Sequence, residues 1–376
     1  MNKVMVIGLG DVGGHQLEIL ARTRDIDIIY AADINEKAAL RRVYSAKSGA
    51  AHLGIYSNIE FVKIDLDDVD GTASTLKKFG PDIVMHNATM MSNVEWACLP
   101  NGVPEKLASA GIGNITPCHL TLTYKLMRAV RKAVVDAHVV MSPYPDVVNC
   151  VLGKVGLARN LIGLGNLDYI TPGLQEAAAH KLGAKITDVS VYLVAPYAVL
   201  NRLFRFGTAG GLPYHLRIHM KEKDVTDRLN PKDLFAEVGK YLSLFTIYDL
   251  GYVAASSGVK NALAILNDTG QLTHAPGPLG LPGGYPIRLG ARGAEVALPE
   301  EISLREAVQT NEQALIGDGI ERIKDDGTIV FTEQCYTTWK EIFNYDCKEL
   351  KIEDCEKKAK ELLSLHSQLA RAKLVQ

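Results

Sequence analysis

The sequence predicts an α/β protein in which a doubly wound parallel sheet is followed by a mixed α+β domain. Over the first 90 residues, short apolar runs alternate with helical stretches, a pattern typical of parallel strands joined by right-handed crossovers. These strands are apolar at nearly every position, as expected of strands that are covered on both faces. Segments 189–194 and 214–220 instead alternate apolar and polar residues, which indicates antiparallel strands in the second half.

The elements of the first half follow from this periodicity. Strands are predicted at 4–7, 26–31, 59–64 and 82–86, with helices at 13–24, 36–45 and 69–79 between them. Residues 90–116 break the rhythm with two prolines and three glycines, so we expect a functional lid or binding loop there. A helix at 117–133, a strand at 138–141 and the turn Ser142-Pro143-Tyr144-Pro145-Asp146 complete the first domain.

The second half is less regular. Helices are predicted at 231–241 and 249–266, and the glycine- and proline-rich segment 274–286 is predicted to be a loop. A strand at 328–331 and two helices are expected near the C-terminus. We therefore predict three units, at 1–146, 147–317 and 318–376.

Composition disfavours several classes of function. The chain has 376 residues and a formal net charge of −2, which gives no electrostatic basis for binding nucleic acid or an anionic membrane. No apolar run approaches the roughly 20 residues of a membrane helix, and the N-terminal MNKVMVIGLGDVGG lacks the features of a signal peptide. We expect a cytoplasmic protein with a small-molecule substrate. The six cysteines lack C-x-x-C spacing, so no metal site is predicted and reduced thiols are expected.

A dinucleotide-binding motif follows the first predicted strand. Residues 8–13 read G-x-G-x-x-G and open the first predicted helix, and Asp11 and Val12 lie within the motif. In the Rossmann fold, glycines at the positions of Gly8, Gly10 and Gly13 allow a tight turn, a close approach to a pyrophosphate and close helix–strand packing. The phosphates then lie at the helix N-terminus, where free N–H groups and the helix dipole favour negative charge.

Asp33 supports the same interpretation. It ends the strand IIYAAD, about 20 residues after the glycines, where a carboxylate binds the ribose hydroxyls and repels a 2′-phosphate. NAD is therefore predicted in preference to NADP, although Asp33 is also open to interpretation as an ordinary residue before the next helix. Other residues at strand ends are predicted to line the cofactor crevice: Ile34, Asp65, Leu66, Asn87, Ala88 and Ser142.

Two resemblances extend this prediction. Residues 1–90 resemble the NAD(P)-binding domain of saccharopine-dehydrogenase-like proteins in the segments GLGDVGG, AADINEKAA, VKIDLDD and DIVMHNA. From about residue 120 the chain is similar to the lactate/malate dehydrogenase superfamily, in HLTLTYKLMRAVRKAVVDAHVVMSPYPDVVNCVLG, LIGLGNLD and SGVKNALAILND. Together they imply a Rossmann domain at 1–146, a substrate and dimerisation domain at 147–317, a C-terminal extension, and a homodimer or homotetramer.

The chain departs from that superfamily at catalytic positions. The superfamily holds its catalytic histidine with an aspartate that Asp168 matches, but Tyr197 stands where the histidine is expected. Thr171 replaces an arginine, the 90–116 segment contains no arginine, and Ser142 replaces the asparagine of the Asn-Pro turn. Without an arginine to bind a carboxylate in bidentate fashion, a simple 2-hydroxy acid is a poor substrate.

Candidate catalytic residues follow from these positions. Tyr197 is the first, oriented by Asp168, and its high ordinary pKa suits a hydrogen-bond donor better than a base; it is equally open to interpretation as a packed aromatic residue. On strand 214–221, alternation places His215, Arg217, His219 and Lys221 on one face, which suits an anionic substrate and a histidine base as well as a solvated surface. Candidate substrate-binding residues are Arg202, Arg205 and Arg217.

These observations favour an NAD(P)-dependent oxidoreductase that transfers hydride at a CH–NH or CH–OH carbon of a polar metabolite, as saccharopine/opine-like or hydroxy-acid-like dehydrogenases do. One alternative is an enzyme that uses tightly bound NAD for transient oxidation during elimination or epimerisation. Family 4 glycosidases work in this way, but their metal-binding Cys and His fall near Gly165 and Arg202 of this chain, and neither residue can serve. The other alternative is a non-catalytic NAD-sensing protein.

Overall fold

A parallel sheet of six strands forms the centre of the computed structural model, which describes residues 2–92, 95 and 98–374. The strands are β1 (Lys3–Ile7), β2 (Ile28–Asp33), β3 (Ile59–Lys63), β4 (Ile83–His86), β5 (His138–Met141) and β6 (Leu161–Gly163). Their spatial order is β3-β2-β1-β4-β5-β6, and every neighbouring pair is parallel. This is the strand order of the doubly wound Rossmann sheet, which confirms the predicted fold class.

Helices cover both faces of this sheet. They are α1 (Asp11–Leu20), α2 (Glu36–Ala51), α3 (Val69–Phe79), α4 (Val103–Ala110), α5 (Thr116–Ala133) and α6 (Pro145–Lys154). Helices α1 and α2 pack on one face around buried Val4, Leu17 and Ala39. Helices α3, α5 and α6 pack on the other face around Leu76 and Leu126. Burial on both sides explains why the inner strands are mostly apolar, whereas the edge strand β3 carries the exposed charges of Glu60 and Lys63.

Local signals set the ends of these helices. Asn35 accepts a hydrogen bond from the Ala38 amide and begins α2, while Asp68 does the same for α3 through the Gly71 amide. Gly80 ends α3 with a φ of 56°, a left-handed conformation that favours glycine. Short polar caps and a glycine stop are readable from sequence, so the predicted bounds of α3 agree with the structure.

The second half adds helices and two antiparallel sheets of three strands. Its elements are α7 (Thr171–Leu182), β7 (Val189–Val194), α8 (Tyr197–Phe206), β8 (His215–Met220), β9 (Lys223–Asp224), α9 (Pro231–Leu242), α10 (Ile247–Leu266), β10 (Gln271–Pro276), β11 (Gly284–Gly290), β12 (Gly293–Val296) and α11 (Leu304–Ala314). The sheets are β7-β8-β9 and β10-β11-β12, joined by a bridge between Ala195 and Gly284. Helix α10 packs along α1, and so links this half to the parallel sheet.

Three expectations from the sequence, two about loops and one about a strand face, are wrong in part. The segment 274–286 is not all loop, because its ends pair with each other as β10 and β11. The segment 90–116 is expected to be irregular, but α4 occupies Val103–Ala110, and residues 93, 94, 96 and 97 lie outside the described residues. Lys221 does not continue the face of β8, because its φ of 58° turns the chain after Met220.

The C-terminal segment packs on the parallel-sheet domain. It contains β13 (Ile320–Ile323), β14 (Ile329–Phe331), α12 (Glu333–Phe343), β15 (Glu349–Leu350) and α13 (Cys355–Leu374). Trp339 of α12 is fully buried, and its indole N–H donates to the Gly111 carbonyl at 3.0 Å. The C-terminal segment therefore holds the end of the 90–116 segment in place. Among the described residues, no helix is both long enough and apolar enough to span a bilayer.

Candidate active site

The glycine turn between β1 and α1 has the geometry that a dinucleotide requires. Gly8 has a φ of 83°, and a Cβ atom on it would lie 2.6 Å from the Ala88 backbone nitrogen. A Cβ atom on Gly13 would lie 2.0 Å from the Gly8 carbonyl oxygen. Neither position has room for a side chain, because strand, turn and helix are in direct backbone contact. The roles predicted for Gly8 and Gly13 therefore agree with the structure.

Gly10 differs from both, because a Cβ atom on it would have no atom within 4 Å. The open space lies directly before the first turn of α1, where Gly10 is the N-cap residue. Free amide groups and the positive end of the helix dipole face such a position. The turn thus fits a pyrophosphate, which NAD would place there.

Asp33 ends β2 beside this turn. The Leu9 amide donates to Oδ2 of Asp33 at 2.7 Å, and the Asn35 amide donates to Oδ1 at 2.8 Å. Each carboxylate oxygen accepts more than one hydrogen bond, so both can still accept from ribose hydroxyls. The carboxylate is also fixed in position by these two bonds, which suits it to select between NAD and NADP.

Replacing Asp33 with asparagine is expected to shift the cofactor preference toward NADP. Asparagine keeps an oxygen for the Leu9 amide but removes the charge that repels a 2′-phosphate, so the ratio of NAD to NADP affinity should fall about tenfold, or ~1.4 kcal/mol. Fluorescence titrations with NADH and NADPH measure the ratio, and Glu60→Gln on β3 is a control. An unchanged ratio in Asp33→Asn would remove Asp33 from the ribose site.

The remaining predicted cofactor residues lie along the same edge of the sheet. Every strand of a parallel sheet ends at one edge, and β1 to β5 end immediately before these residues. The Asn87 amide donates to the Ile7 carbonyl at 2.8 Å, and the Ser142 amide donates to the His86 carbonyl at 3.0 Å. The structure therefore brings together residues that lie far apart in sequence: Gly8, Gly10, Asp11, Val12, Gly13, Asp33, Ile34, Asp65, Leu66, Asn87, Ala88 and Ser142.

A buried carboxyl group, Asp146, lies in the first turn of α6, close behind this edge. Its Oδ1 accepts from the Tyr197 amide at 3.1 Å, and its Oδ2 accepts from the Asn166 side chain. Burial raises the pKa of this carboxyl group to about 7, although the bond from the Tyr197 amide opposes the rise. Asp146 thus fixes the turn that carries Tyr197 and titrates near neutral pH.

A second buried carboxyl group, Asp318, comes from the chain that follows α11. It is fully buried, and neither of its side-chain oxygens has a hydrogen-bond partner among the described residues. Burial first, and then the charge of Asp146, raise the pKa of Asp318 well above its ordinary value, while the nearby Tyr144 hydroxyl opposes the rise. Two buried carboxyl groups with no cation between them cannot both be ionised, so this pair retains a proton at neutral pH.

Aromatic side chains complete the crevice. The rings of Tyr144 and Tyr197 meet edge to face with centroids 5.8 Å apart, and His119 meets Tyr144 at 6.3 Å. Burial raises the pKa of Tyr197 to about 12, so its hydroxyl is a hydrogen-bond donor at neutral pH. Burial lowers the pKa of His119 to about 4, and its Nδ1 lies 3.2 Å from the Thr89 hydroxyl. The side chains available here are neutral donors and acceptors together with the carboxyl pair.

Asp168 does not form the pair with Tyr197 that the sequence predicts. Its carboxylate accepts from the Ser257 hydroxyl and from the Lys260 ammonium group, the latter at 2.6 Å. Both partners lie on α10, so Asp168 is turned toward that helix. Among the described residues, the groups that act on the Tyr197 hydroxyl are Asp318, Arg205 and Asp146. Asp146 instead accepts from the backbone amide of Tyr197, and an orienting role for a carboxylate in catalysis stays a prediction.

Most of the other predicted catalytic and substrate-binding residues lie apart from Tyr197, but the charge of Arg205 acts on this tyrosine and opposes the rise in its pKa. Burial and then the charge of Arg217 lower the pKa of His215, while Glu301 and Glu306 oppose the change, and His215 lies opposite Val194 in the pairing of β7 with β8. Arg205 is exposed and bonds to Asn201 on its own helix. Arg202 packs over the Phe206 ring, with 6.0 Å to the centroid. The structure does not bring these side chains to Asp146.

Four residues near Tyr197 are not predicted from the sequence as site residues: His119, Tyr144, Asp146 and Asp318. Tyr144 and Asp146 belong to the turn that ends the first domain, where two prolines around a tyrosine are a visible but unspecific signal. His119 lies in the first turn of α5, which reads as an ordinary helix. Asp318 has no local signal, because only the tertiary fold brings it to Asp146.

The comparisons with known proteins agree with the fold. No protein-family model matches the chain, and no curated protein matches its sequence. Malate dehydrogenase of Cryptosporidium parvum superposes with a TM-score of 0.57 at 16% identity, covering 84% of this chain and 98% of that chain. Lactate dehydrogenase of Eimeria maxima superposes with a TM-score of 0.56 at 12% identity, covering 84% of this chain and 91% of that chain. Minor L-lactate dehydrogenase of Enterococcus mundtii superposes with a TM-score of 0.56 at 17% identity, covering 84% of this chain and 95% of that chain.

The chain is thus an α/β protein with a Rossmann-type sheet and the architecture of lactate and malate dehydrogenases. Identities this low establish a shared fold and no more. The resemblance of residues 1–90 to saccharopine-dehydrogenase-like proteins is not confirmed by these structures and stays a prediction.

Proposed function

We propose that this chain is an NAD-dependent oxidoreductase that transfers hydride at a CH–NH or CH–OH carbon of a polar metabolite. The observation that carries the proposal is the open, preformed turn at Gly10, next to the anchored carboxylate of Asp33. When bound, NAD+ would accept the hydride. Tyr144, Asp146 and Tyr197 lie close to the edge of the sheet where Rossmann proteins bind ligands.

Proteins of the same fold support this choice. The Eimeria maxima structure is described as a lactate dehydrogenase with NADH and oxamate. That of Cryptosporidium parvum lactate dehydrogenase is described as a complex with lactic acid and nicotinamide adenine dinucleotide. Because one fold hosts many reactions, the likeness supports the cofactor more strongly than the substrate.

The charges of the crevice favour an amine over a 2-hydroxy acid. A carboxylate substrate requires a cation in the site, such as a bidentate arginine. Tyr197 here has two carboxyl groups beside it, Asp146 and Asp318, and the nearest arginine that acts on it, Arg205, is exposed. A site whose buried groups are carboxyl groups, and whose arginine is exposed, suits the ammonium group of an amine or amino acid better than a carboxylate.

The substrate carbon loses hydride while its nitrogen loses a proton, so a C=N bond forms that water later hydrolyses to a carbonyl group and an amine. The Tyr197 hydroxyl donates a hydrogen bond to the reacting nitrogen or oxygen, and Asp146 holds the Tyr197 turn. A protonated amine releases its proton to water more readily than an alcohol does, so this chemistry needs no strong base in place of the missing histidine.

A substrate screen tests the proposed function. The purified chain is incubated with NAD+ and a panel of amines, amino acids, hydroxy acids and sugars, and NADH formation is followed by absorbance. We expect turnover with at least one amine or amino acid. Turnover with a 2-hydroxy acid alone would contradict the substrate assignment. Tight NAD binding with no net NADH from any class would instead indicate transient oxidation by a retained cofactor.

Tyr197→Phe is expected to lower turnover by about 100-fold or more, the contribution typical of a positioned proton donor. The affinity for NAD should not change, because the bond from residue 197 to Asp146 uses the backbone amide. Steady-state kinetics and NADH titration measure the two effects separately. Tyr214→Phe, which alters a half-buried tyrosine packed on Phe235, is the control. Full turnover in Tyr197→Phe would show that the Tyr197 hydroxyl takes no part in the reaction.

A further inference from the structure

A cluster of one histidine and two carboxylates lies on the β7-β8-β9 sheet. His219 and Asp224 face each other across β8 and β9, and Glu301 lies beside them, in the segment before α11. One nitrogen of His219 and one oxygen of each carboxylate all lie within 4.8 Å of one another. The cluster is separate from the crevice around Tyr197.

Neighbouring groups hold two of the three side chains. The amide and the hydroxyl of Thr226 both donate to Oδ1 of Asp224, at 2.7 and 2.5 Å, which leaves Oδ2 for another partner. The His219 ring packs against the Tyr192 ring with centroids 4.7 Å apart. Contacts of this kind orient the ligands in protein metal sites.

His219 also has an unsatisfied nitrogen. Its Nε2 atom is buried and has no hydrogen-bond partner among the described residues. A buried polar atom without a partner destabilises the fold. A metal ion removes that penalty, because neutral imidazole is the commonest protein ligand for transition metals.

The charges around the cluster are unbalanced. Nε of Arg217 lies 3.5 Å from Oδ2 of Asp224. This nitrogen is itself without a hydrogen-bond partner, so Arg217 offsets part of the negative charge without occupying the oxygen. Glu301 forms no salt bridge with any residue that the structure describes. Two carboxylates and an unpaired imidazole nitrogen thus share one nearby cationic side chain.

We propose that His219, Asp224 and Glu301 form a binding site for a divalent first-row transition ion, of which Zn2+ fits best. One imidazole nitrogen and two carboxylate oxygens suit Zn2+ at about 2.0–2.2 Å, and water completes a four-coordinate site. Ligand atoms around such an ion lie roughly 3.3 Å apart, so the cluster must contract slightly. Glu301 is exposed and free to make that movement. Mg2+ fits less well, because it prefers oxygen ligands only.

The ion would join the β8–β9 hairpin to the segment before α11. Glu301 also lines a cavity of about 500 Å3 with Leu298 and Ser303. In the pairing of β7 with β8, His219 lies opposite Ser190, at the end of the strands remote from Tyr197. We therefore expect the ion to stabilise this sheet without entering the redox chemistry, and the proposal does not rest on the proposed function.

Titration of the full chain with Zn2+ tests the site. The protein is prepared without a polyhistidine tag and freed of metal with a chelator. Calorimetry should then give one tightly bound equivalent of Zn2+ per chain, and bound Zn2+ should raise the unfolding temperature. His219→Ala and Glu301→Gln should each lose that equivalent and the thermal shift. Co2+ in place of Zn2+ should give a visible absorption spectrum in wild type only.

Two matched variants serve as controls. His180→Ala removes an exposed histidine on α7, and Glu300→Gln removes an exposed carboxylate next to Glu301. Both should bind Zn2+ as wild type does. Because Glu301 is exposed, Glu301→Gln should fold normally, and its circular dichroism without metal verifies this. Equal Zn2+ binding by wild type and Glu301→Gln, or no binding by wild type at millimolar Zn2+, would overturn the proposal.

Discussion

Gly10→Val is expected to abolish NAD binding while leaving the stability of the protein nearly unchanged. A Cβ atom at this position would have no atom within 4 Å, so a valine side chain would extend into the space that a pyrophosphate needs. Affinity should fall at least 100-fold, about 2.8 kcal/mol, whereas the free energy of unfolding should change by less than about 1 kcal/mol. Calorimetric titration with NADH and urea unfolding measure the two quantities.

Gly13→Ala is the matched control for this result. Its Cβ atom would lie 2.0 Å from the Gly8 carbonyl, so it should lower stability itself, by about 1–3 kcal/mol. The two glycines are three residues apart in one motif, yet one substitution acts on the ligand and the other on the fold. NADH binding by Gly10→Val with wild-type affinity would show that the phosphates do not lie on this turn.

Asp318→Asn is expected to stabilise the protein in mildly alkaline solution. A carboxyl group whose pKa is raised by folding contributes its stability fully below its unfolded pKa and loses it as the pH rises through the folded pKa. For Asp146 this window runs from about 4 to about 7, and the loss is of the order of 4 kcal/mol. The stability that Asp318 contributes is likewise lost as the pH rises, and a charge on Asp318 opposes ionisation of Asp146.

The measurement is urea unfolding of wild type and Asp318→Asn at about pH 4 and about pH 8. The two proteins should be similar at the lower pH, and the variant should be more stable by about 2 kcal/mol or more at the higher pH. At that pH wild type must either keep a proton on Asp318 or bury its charge in order to fold, and asparagine requires neither. Asp227→Asn, on the surface, should follow wild type. An equal loss of stability by wild type and Asp318→Asn would show that folding does not raise the pKa of Asp318. Reduced turnover in the stabilised variant would place the carboxyl pair in the reaction.

The parallel sheet and the glycine turn are predictable because their signals are local. Each of the strands β1 to β5 is a short, mostly apolar run. Right-handed crossovers between strands limit which strands can be neighbours in the sheet. The glycine spacing and Asp33 belong to one βαβ unit, so the motif and the structure describe the same place. The predicted strand at 138–141 coincides with β5 for the same reason.

The chemistry of the crevice is not predictable in this way, because its contacts are long-range. Asp146 meets Tyr197 and Asp318 only after three separate parts of the chain have packed together. Asp168 matches a family position, yet Lys260 on α10 attracts its carboxylate. No sequence pattern records that competition, and the pairing of Asp168 with Tyr197 was for this reason wrong.

The 90–116 segment shows the same limit. Its prolines and glycines favour a loop, but the buried Trp339 binds the Gly111 carbonyl from more than 200 residues away, and α4 forms beneath the C-terminal segment. The shared core of residues 318–374 and the parallel sheet joins what the sequence presents as separate units. The boundaries at 146 and 317, and the homodimer or homotetramer, stay predictions.

A crystal structure of the chain soaked in NAD+ is the most direct measurement. We expect the pyrophosphate to accept hydrogen bonds from backbone amides between Leu9 and Val12, and the adenine ribose hydroxyls to donate to Asp33. The nicotinamide ring should face Tyr197. A glycine turn that stays without nucleotide at saturating NAD+, or a nucleotide bound elsewhere, would contradict the assignment as an NAD-dependent oxidoreductase.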